Sequence, residues 1–206
     1  MEDVLEVYGM PRDPDIPLIC MDEQPVQIIG EHIKPLEMKP GKDKKEDYEY
    51  ERNGTCSIFM FSAPLEGWRH VAALEHRTRV DWANQIDDVF TNHFPNAVRI
   101  RLVMDNLNTH SKGSLYEAFD PQKALSLAKR LEIHHTPKHG SWLNMAEIEL
   151  SVLTTQCLDR RIGDIDTLKS EISAWESNRN GAEKNIDWQF TTINARDKLK
   201  RLYPKI

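Results

Sequence analysis

Apolar residues in this chain fall in short runs closed by acidic or turn-forming residues, and the run at 98–110, VRIRLVMDNLNTH, sets the pattern. It begins alternating, becomes continuously apolar at Leu102-Val103-Met104, and ends in Asp105. A continuous apolar run reads as a strand buried on both faces, as in the middle of an α/β sheet. An acid at the carboxyl end of such a strand sits where open α/β sheets place their ligands. Residues 16–21 (IPLICM) repeat the design and end in Asp22-Glu23, with Gln24-Pro25 as a turn signal and 26–29 as a second short strand.

The remaining pattern predicts one strand at 55–61 (TCSIFMF) and another at 68–74 (WRHVAAL), paired as a hairpin across a turn at 64–67. Asp81 can cap a helix whose apolar positions Ala83, Ile86, Phe90 and Phe94 follow 3-4-4 spacing. Residues 111–130 read as two helical pieces broken at Asp120-Pro121, with the proline suited to a first helical turn. A short strand at 131–136 and a loop at 137–141 follow. Trp142 or Asn144 opens a helix to about residue 158, with Ala146, Leu150, Leu153 and Cys157 as its buried stripe. Asp164 or Asp166 caps a further helix that ends at Asn178-Arg179-Asn180-Gly181, and Thr192 caps a short basic one stopped at Pro204. Residues 1–15, with Pro11 and Pro14, read as an irregular lead-in. Strands first, then strand and helix alternating, give an α/β fold with a mixed sheet.

Composition adds limits. At 206 residues the chain is expected to form a single domain over 1–206, with a charged loop or protruding hairpin inserted at 31–54. That insertion carries Lys34, Lys39, Lys42, Lys44 and Lys45, then Glu46, Asp47, Glu49 and Glu51, and reads as a solvated loop. No run approaches a membrane span, and the acidic N-terminus lacks the features of a secretory signal. Cys20, Cys56 and Cys157 are odd in number and far apart, which suits free buried thiols in a cytoplasmic protein. A net charge of −6 argues against bulk electrostatic binding of nucleic acid but is compatible with an acidic metal site.

Two acids at strand ends and a glutamate on a later helix suggest a carboxylate site for divalent cations. Clustered carboxylates repel one another and resist burial without a cation. The helix offers two candidates: projected at about 100° per residue, Glu147 and Glu149 lie about 80° from the stripe centre on opposite flanks, and periodicity does not choose between them. Nor does spacing alone bring Asp22 beside Asp105, which requires adjacent strands.

The segments ICMDEQPVQ around Asp22, VMDNLNTH around Asp105 and TPKHGSWLNMAEIEL around Glu147, with CLDRRI and FTTINARDKLKRLYP, carry a resemblance. From residue 16 to 204 the chain resembles the DDE transposases of the mariner-type superfamily, in their bacterial insertion-sequence branch. The resemblance implies a ribonuclease H-like fold, a five-stranded mixed sheet flanked by helices. Asp22 would end the first strand, Asp105 the fourth, and Glu147, from the LN-x-x-E pattern, would follow the fifth. It further implies that Asp22, Asp105 and Glu147 are catalytic metal ligands for two Mg²⁺ or Mn²⁺ ions. The implied activity is cleavage of DNA at transposon ends and transfer of the 3′-hydroxyl to target DNA. The implied partners are terminal inverted repeats and target DNA. The helix-turn-helix modules that precede the catalytic domain in the family are expected to be missing, so a homodimer or pairing with a chain that carries them is expected. The alternatives are another ribonuclease H-like nuclease or resolvase, or a truncated, catalytically silent partner that inhibits a full-length transposase.

Lesser signals are weighed alongside. His134, His135, His139 and Cys157 fit no standard zinc spacing. His110 can orient a carboxylate or stabilise the turn after Asp105. Lys138, His139 and Trp142 suit a phosphate backbone or a packed loop. Trp68, Trp82, Trp175 and Trp188 read as core or hairpin residues. Arg160, Arg161, Lys198, Lys200 and Arg201 are the best candidates for DNA-backbone contact.

Overall fold

The computed structural model describes residues 1–33, 35–43, 45, 47–138 and 140–203. Lys34, Lys44 and Glu46 of the charged insertion, His139 and the expected helix stop at Pro204 lie outside the described residues. Five strands form one sheet in the order β3-β2-β1-β4-β5. They are β1 (Leu18–Glu31), β2 (Tyr50–Ala63), β3 (Trp68–Leu74), β4 (Ile100–Met104) and β5 (Leu131–His135). β2 lies antiparallel to β1 and β3, whereas β4 lies parallel to β1 and β5, so the sheet is mixed as the sequence predicts.

Alternation along the strands divides the core into two layers. Leu18, Cys20, Ile58, Met60 and Val103 face one cluster, where helices α1 (Glu2–Tyr8), α5 (Ala146–Leu153), α6 (Ile165–Gly181) and α7 (Thr192–Lys198) pack. Ile19, Met21, Phe59, Phe61 and Met104 face the other, covered by α2 (Arg79–Asp88), α3 (Lys112–Ala118) and α4 (Pro121–Arg130). Trp82 on α2 is fully buried there, as a core reading of it requires.

Several elements differ from the sequence reading. β1 does not stop at Asp22: it continues through Gln24-Pro25 to Glu31, paired with β2, with one register shift between Gln27 and Ile29. The pairing of 22–25 with the buried run of β2 outweighs the local turn signal. Pro25 is tolerated because β4 pairs with β1 only at residues 18–20, leaving β1 with a single partner beyond. The lead-in at 1–15 contains α1, which buries Val4, Leu5, Val7 and Tyr8. Two caps also shift by one or more residues. Thr78 caps α2 and Asp81 completes a reciprocal capping box; Thr191, rather than Thr192, does the same for α7 with Asn194. The α2 segment ends in a π-helical turn at Val89–His93, and α5 in another at Thr154–Leu158. Between β1 and β2, isolated antiparallel bridges join Leu36 with Lys45 and Lys39 with Lys42.

The open edge of the sheet at β3 is covered by side chains of α6. Asn180 accepts from the Arg69 amide and donates to the Arg69 carbonyl, and Glu176 Oε2 accepts from Val71 N–H at 2.7 Å. Beneath them lies a buried charge cluster. Arg69, 1% exposed, donates to Glu149 Oε1 at 2.7 Å, and Arg179 donates to both Glu149 oxygens at 3.0 Å. Burial alone would raise the Glu149 pKa, but the two guanidiniums hold it below the ordinary carboxylate value. Arg69 also donates to the carbonyls of Gly67 and Lys184. Gly67 itself has φ of 65°, and a Cβ there would meet the Glu183 backbone at 2.8–2.9 Å, so the β2–β3 turn admits no side chain.

Removing one member of this cluster strands the others without a counter-charge. Glu149→Ala is expected to lower unfolding free energy by about 3–5 kcal/mol, read as a shift in the urea midpoint. An unchanged midpoint would show that the pair contributes nothing net.

Candidate active site

β1 and β4 are neighbours, parallel, and the sheet reverses its strand order between them. That is the position at which open α/β sheets form a crevice beyond their carboxyl ends. The register pairs Leu18 with Arg101, Ile19 with Leu102 and Cys20 with Val103. Asp22 follows Cys20, the last β1 residue paired with β4, by two positions, as Asp105 follows Val103, so both acids lie beyond that paired segment at the same end of the sheet. Asp105 lies just past the end of β4, while Asp22 is well inside β1. Both share the parity of Cys20 and Val103, which face the layer containing α5.

α5 supplies the third acid. Helical geometry had left Glu147 and Glu149 equivalent, and the structure gives them different surroundings. Glu149 is fully buried and held by Arg69 and Arg179, while Glu147, half-buried, stands near Asp22. The Asp22 pKa is raised to about 6, chiefly by burial and further by the charges of Asp105, Glu147 and Glu23, against a lowering by the Glu23 amide. The three acids therefore share one field. Their ligand atoms do not all lie within 4.8 Å of one another among the described residues.

The neighbours orient these carboxylates. Glu23 N–H donates to Asp22 Oδ1 at 2.8 Å. Asn144, 1% exposed, donates from Nδ2 to Met21 O at 2.8 Å and to Asp22 Oδ2 at 3.3 Å, and its Oδ1 accepts from Ala146 N–H at the start of α5. One amide thereby ties β1 to the helix carrying Glu147. His110 is buried between two acids, with Nδ1 2.9 Å from Asp105 Oδ1 and Nε2 2.8 Å from Glu23 Oε1. Burial opposes its charge, but those hydrogen bonds and charges raise its pKa to about 9, so both nitrogens donate at neutral pH. Glu23 Oε2 is buried without a hydrogen-bond partner. Sequence reasoning singled out His110 and missed Glu23 and Asn144. The adjacent acids Asp22-Glu23 were visible, but their opposite faces direct them to different partners.

A groove of about 540 Å³ borders Asp105, lined by Asn106, Leu107, Thr136, Pro137, Lys138 and Ser141. Trp142, 46% exposed, meets Phe190 edge-on at 5.7 Å, and Lys198 lies 5.9 Å from the same ring. Three of the other basic candidates are engaged: Arg160 with Glu171, Arg161 with Glu31 and Lys200 with Asp197. Exposed pairs of this kind are weak and exchange readily. The histidines drawn as a zinc set are dispersed, His134 to Asp3 and Glu132, and His135 to the Asp105 carbonyl, while Cys157 packs in the core. No described helix is long and apolar enough to cross a membrane.

The family profile described as DDE superfamily endonuclease matches residues 17–169. The chain belongs to that family. Its fold is shared with Mos1 mariner transposase structures. Against a Mos1 strand transfer complex the TM-score is 0.56 at 12% identity, covering 86% of this chain and 53% of the other. A Mos1 mariner paired-end complex with Mn gives 0.56 at 11% identity, covering 87% and 54%. A Mos1 transposase paired-end complex with left transposon end gives 0.58 at 12%, covering 89% and 56%. The present chain thus spans about half the length of these relatives. Comparison with curated protein sequences finds no match.

Asp22 titrates near 6 when folded, against an ordinary value of 3.8. The fold therefore binds this proton more tightly than the unfolded chain does. The stability it contributes is present below about pH 4 and is lost as pH rises through 6. Asp22→Asn is expected to stabilise the metal-free protein by up to about 3 kcal/mol at pH 7.5, with the gain largely gone at about pH 3. Urea denaturation at both pH values measures it, and an equal difference at both would contradict the raised pKa of Asp22.

Proposed function

We propose that this chain is the catalytic domain of a mariner-type transposase of the bacterial insertion-sequence kind. It cuts DNA at transposon ends and joins the freed 3′-hydroxyl to target DNA. The observation that supports this reading is the parallel pairing of β1 with β4 two residues before Asp22 and Asp105, together with the charges of Asp105 and Glu147 acting on Asp22. Family membership supports it.

In this reading Asp22, Asp105 and Glu147 hold Mg²⁺ or Mn²⁺. Their donors are all carboxylate oxygens, the type those cations prefer, and their mutual repulsion at Asp22 is what a cation would relieve. Two such ions, when bound, supply the positive charge that offsets charge developing on the attacking and leaving oxygens of an in-line phosphoryl displacement. The protein's part is to hold the acids in place. Asn144 fixes Asp22 against the start of α5, and the His110 imidazolium fixes Asp105 through one nitrogen and Glu23 through the other. Attack by water or a 3′-hydroxyl needs no serine or tyrosine nucleophile. The groove beside Asp105, with Lys138 on its wall, is the place for the DNA backbone. The partners are terminal inverted repeats and target DNA, with a second copy or a chain bearing DNA-binding modules completing the assembly.

The test is cleavage of end-containing DNA with Mn²⁺, scored against an RNA–DNA hybrid. Wild type is expected to nick the DNA substrate. Asp22→Asn, Asp105→Asn and Glu147→Gln are expected to abolish nicking with unchanged circular dichroism. Preference for the hybrid would reassign the chain to another ribonuclease H-like nuclease. Retained cleavage by Glu147→Gln would refute the assigned ligand set. Absence of cleavage together with capture of a full-length transposase would indicate a silent partner instead.

A further inference from the structure

A second ligand cluster lies two strands from β1, at the covered edge of the sheet. His70 on β3, Asp88 at the end of α2 and His93 in the π-helical turn each offer a ligand atom, all within 4.8 Å of one another. Asp88 Oδ2 lies 3.4 Å from His70 Nε2 and 3.3 Å from His93 Nε2. Both separations exceed the ordinary N–H···O range of about 2.7–3.2 Å. They match the roughly 3.3–3.5 Å between neighbouring ligands of a tetrahedral ion bound at about 2.0–2.2 Å.

The surroundings of the ligands support the same assignment. Asn92 donates to Asp88 Oδ1 at 2.7 Å, which fixes the carboxylate and leaves Oδ2 aimed at the two rings. His70 Nδ1 lies 3.4 Å from Glu176 Oε2, whose carboxylate is itself held by Val71 N–H. A carboxylate beside one imidazole nitrogen, here at a long 3.4 Å that can tighten when the other nitrogen takes an ion, is the usual support of a metal-binding histidine. In a regular α-helix Asp88 and His93, five residues apart, would point about 140° away from each other. The π-helical turn, closed by Phe94 N–H to Val89 O at 2.8 Å, brings them together. Such turns recur at functional sites. Trp68 packs 5.0 Å from the His93 ring and 6.3 Å from the His70 ring, giving the cluster an aromatic wall.

The geometry points to a binding site for one Zn²⁺-like transition-metal ion, held by His70, Asp88 and His93 and supported by Glu176 and Asn92. Imidazole donors select such ions over Mg²⁺, so this site and the carboxylates on β1, β4 and α5 would take different metals. The bound ion would clamp the edge strand β3 to α2 across the side of the sheet, independently of any DNA chemistry.

The experiment is a titration of the purified chain with Co²⁺ in excess Mg²⁺, followed by displacement with Zn²⁺ and by calorimetry. Wild type is expected to bind one ion per chain with visible Co²⁺ absorption bands of a low-symmetry N/O site. His93→Gln and Asp88→Asn, each checked for an unchanged fold by circular dichroism, should weaken Zn²⁺ binding at least about 100-fold, and Glu176→Gln by about 10–100-fold. Asp22→Asn should leave it intact. Zn²⁺ affinity equal in wild type and both ligand variants would overturn the assignment. So would loss of binding on Asp22→Asn, or no Co²⁺ spectrum in wild type.

Discussion

The molecule depends on the divided pairing of β1. Over Leu18–Cys20 it has neighbours on both sides; past Cys20 it keeps only β2, because β4 stops at Met104. Hydrogen-bonded sheet thus gives way to an opening on one side of a strand that is still fully anchored on the other. An acid placed two residues beyond the split is held by β2 on one side yet has no partner on the β4 side, and the parallel direction of β4 carries a second acid to the same end of the sheet. The reversal of strand order at this point follows from the chain path: the antiparallel hairpins build one way from β1, and the parallel strands build the other.

Around that opening, charge is sorted by partner. Glu149, two residues from Glu147 on the same helix, is neutralised by two guanidiniums and serves the fold. Glu147 has been given no such partner among the described residues and stays close to Asp22. Asp22 and Glu23 divide likewise across the strand, Asp22 toward α5 and Glu23 toward the buried His110. Alternating direction along one strand and small rotations along one helix thereby separate acids that hold the protein together from acids left available to a cation.

Much of this was legible in the sequence where local pattern and burial agree. The strands at 68–74 and 131–135, the break at Asp120-Pro121 and the stripe of Ala146, Leu150, Leu153 and Cys157 follow from period and turn chemistry alone. The failures have a common origin in long-range pairing. Gln24-Pro25 is a turn signal overridden by β2, and α1 is a short helix stabilised by burial of Val4, Leu5, Val7 and Tyr8 rather than by propensity. The pair Asp22–Asp105 needed strand order, which no spacing encodes. Helical period did not separate Glu147 from Glu149; the resemblance did, and in the fold the difference comes from Arg69, eighty residues away on β3, and Arg179 on α6. The His70–Asp88–His93 cluster was invisible because a π-helical turn has no sequence period of its own.

The rim at β3 is sealed by amide and carboxylate side chains instead of by a sixth strand. Asn180 behaves toward Arg69 as a peptide unit of a neighbouring strand would, giving one donor and taking another. A seal of this type is reversible without unpicking the sheet: fraying of the last turns of α6 would bare a ladder of main-chain groups beside an otherwise intact core. Lateral stacking of copies, and ultimately fibrous assembly, is the hazard that this single helix end keeps in check.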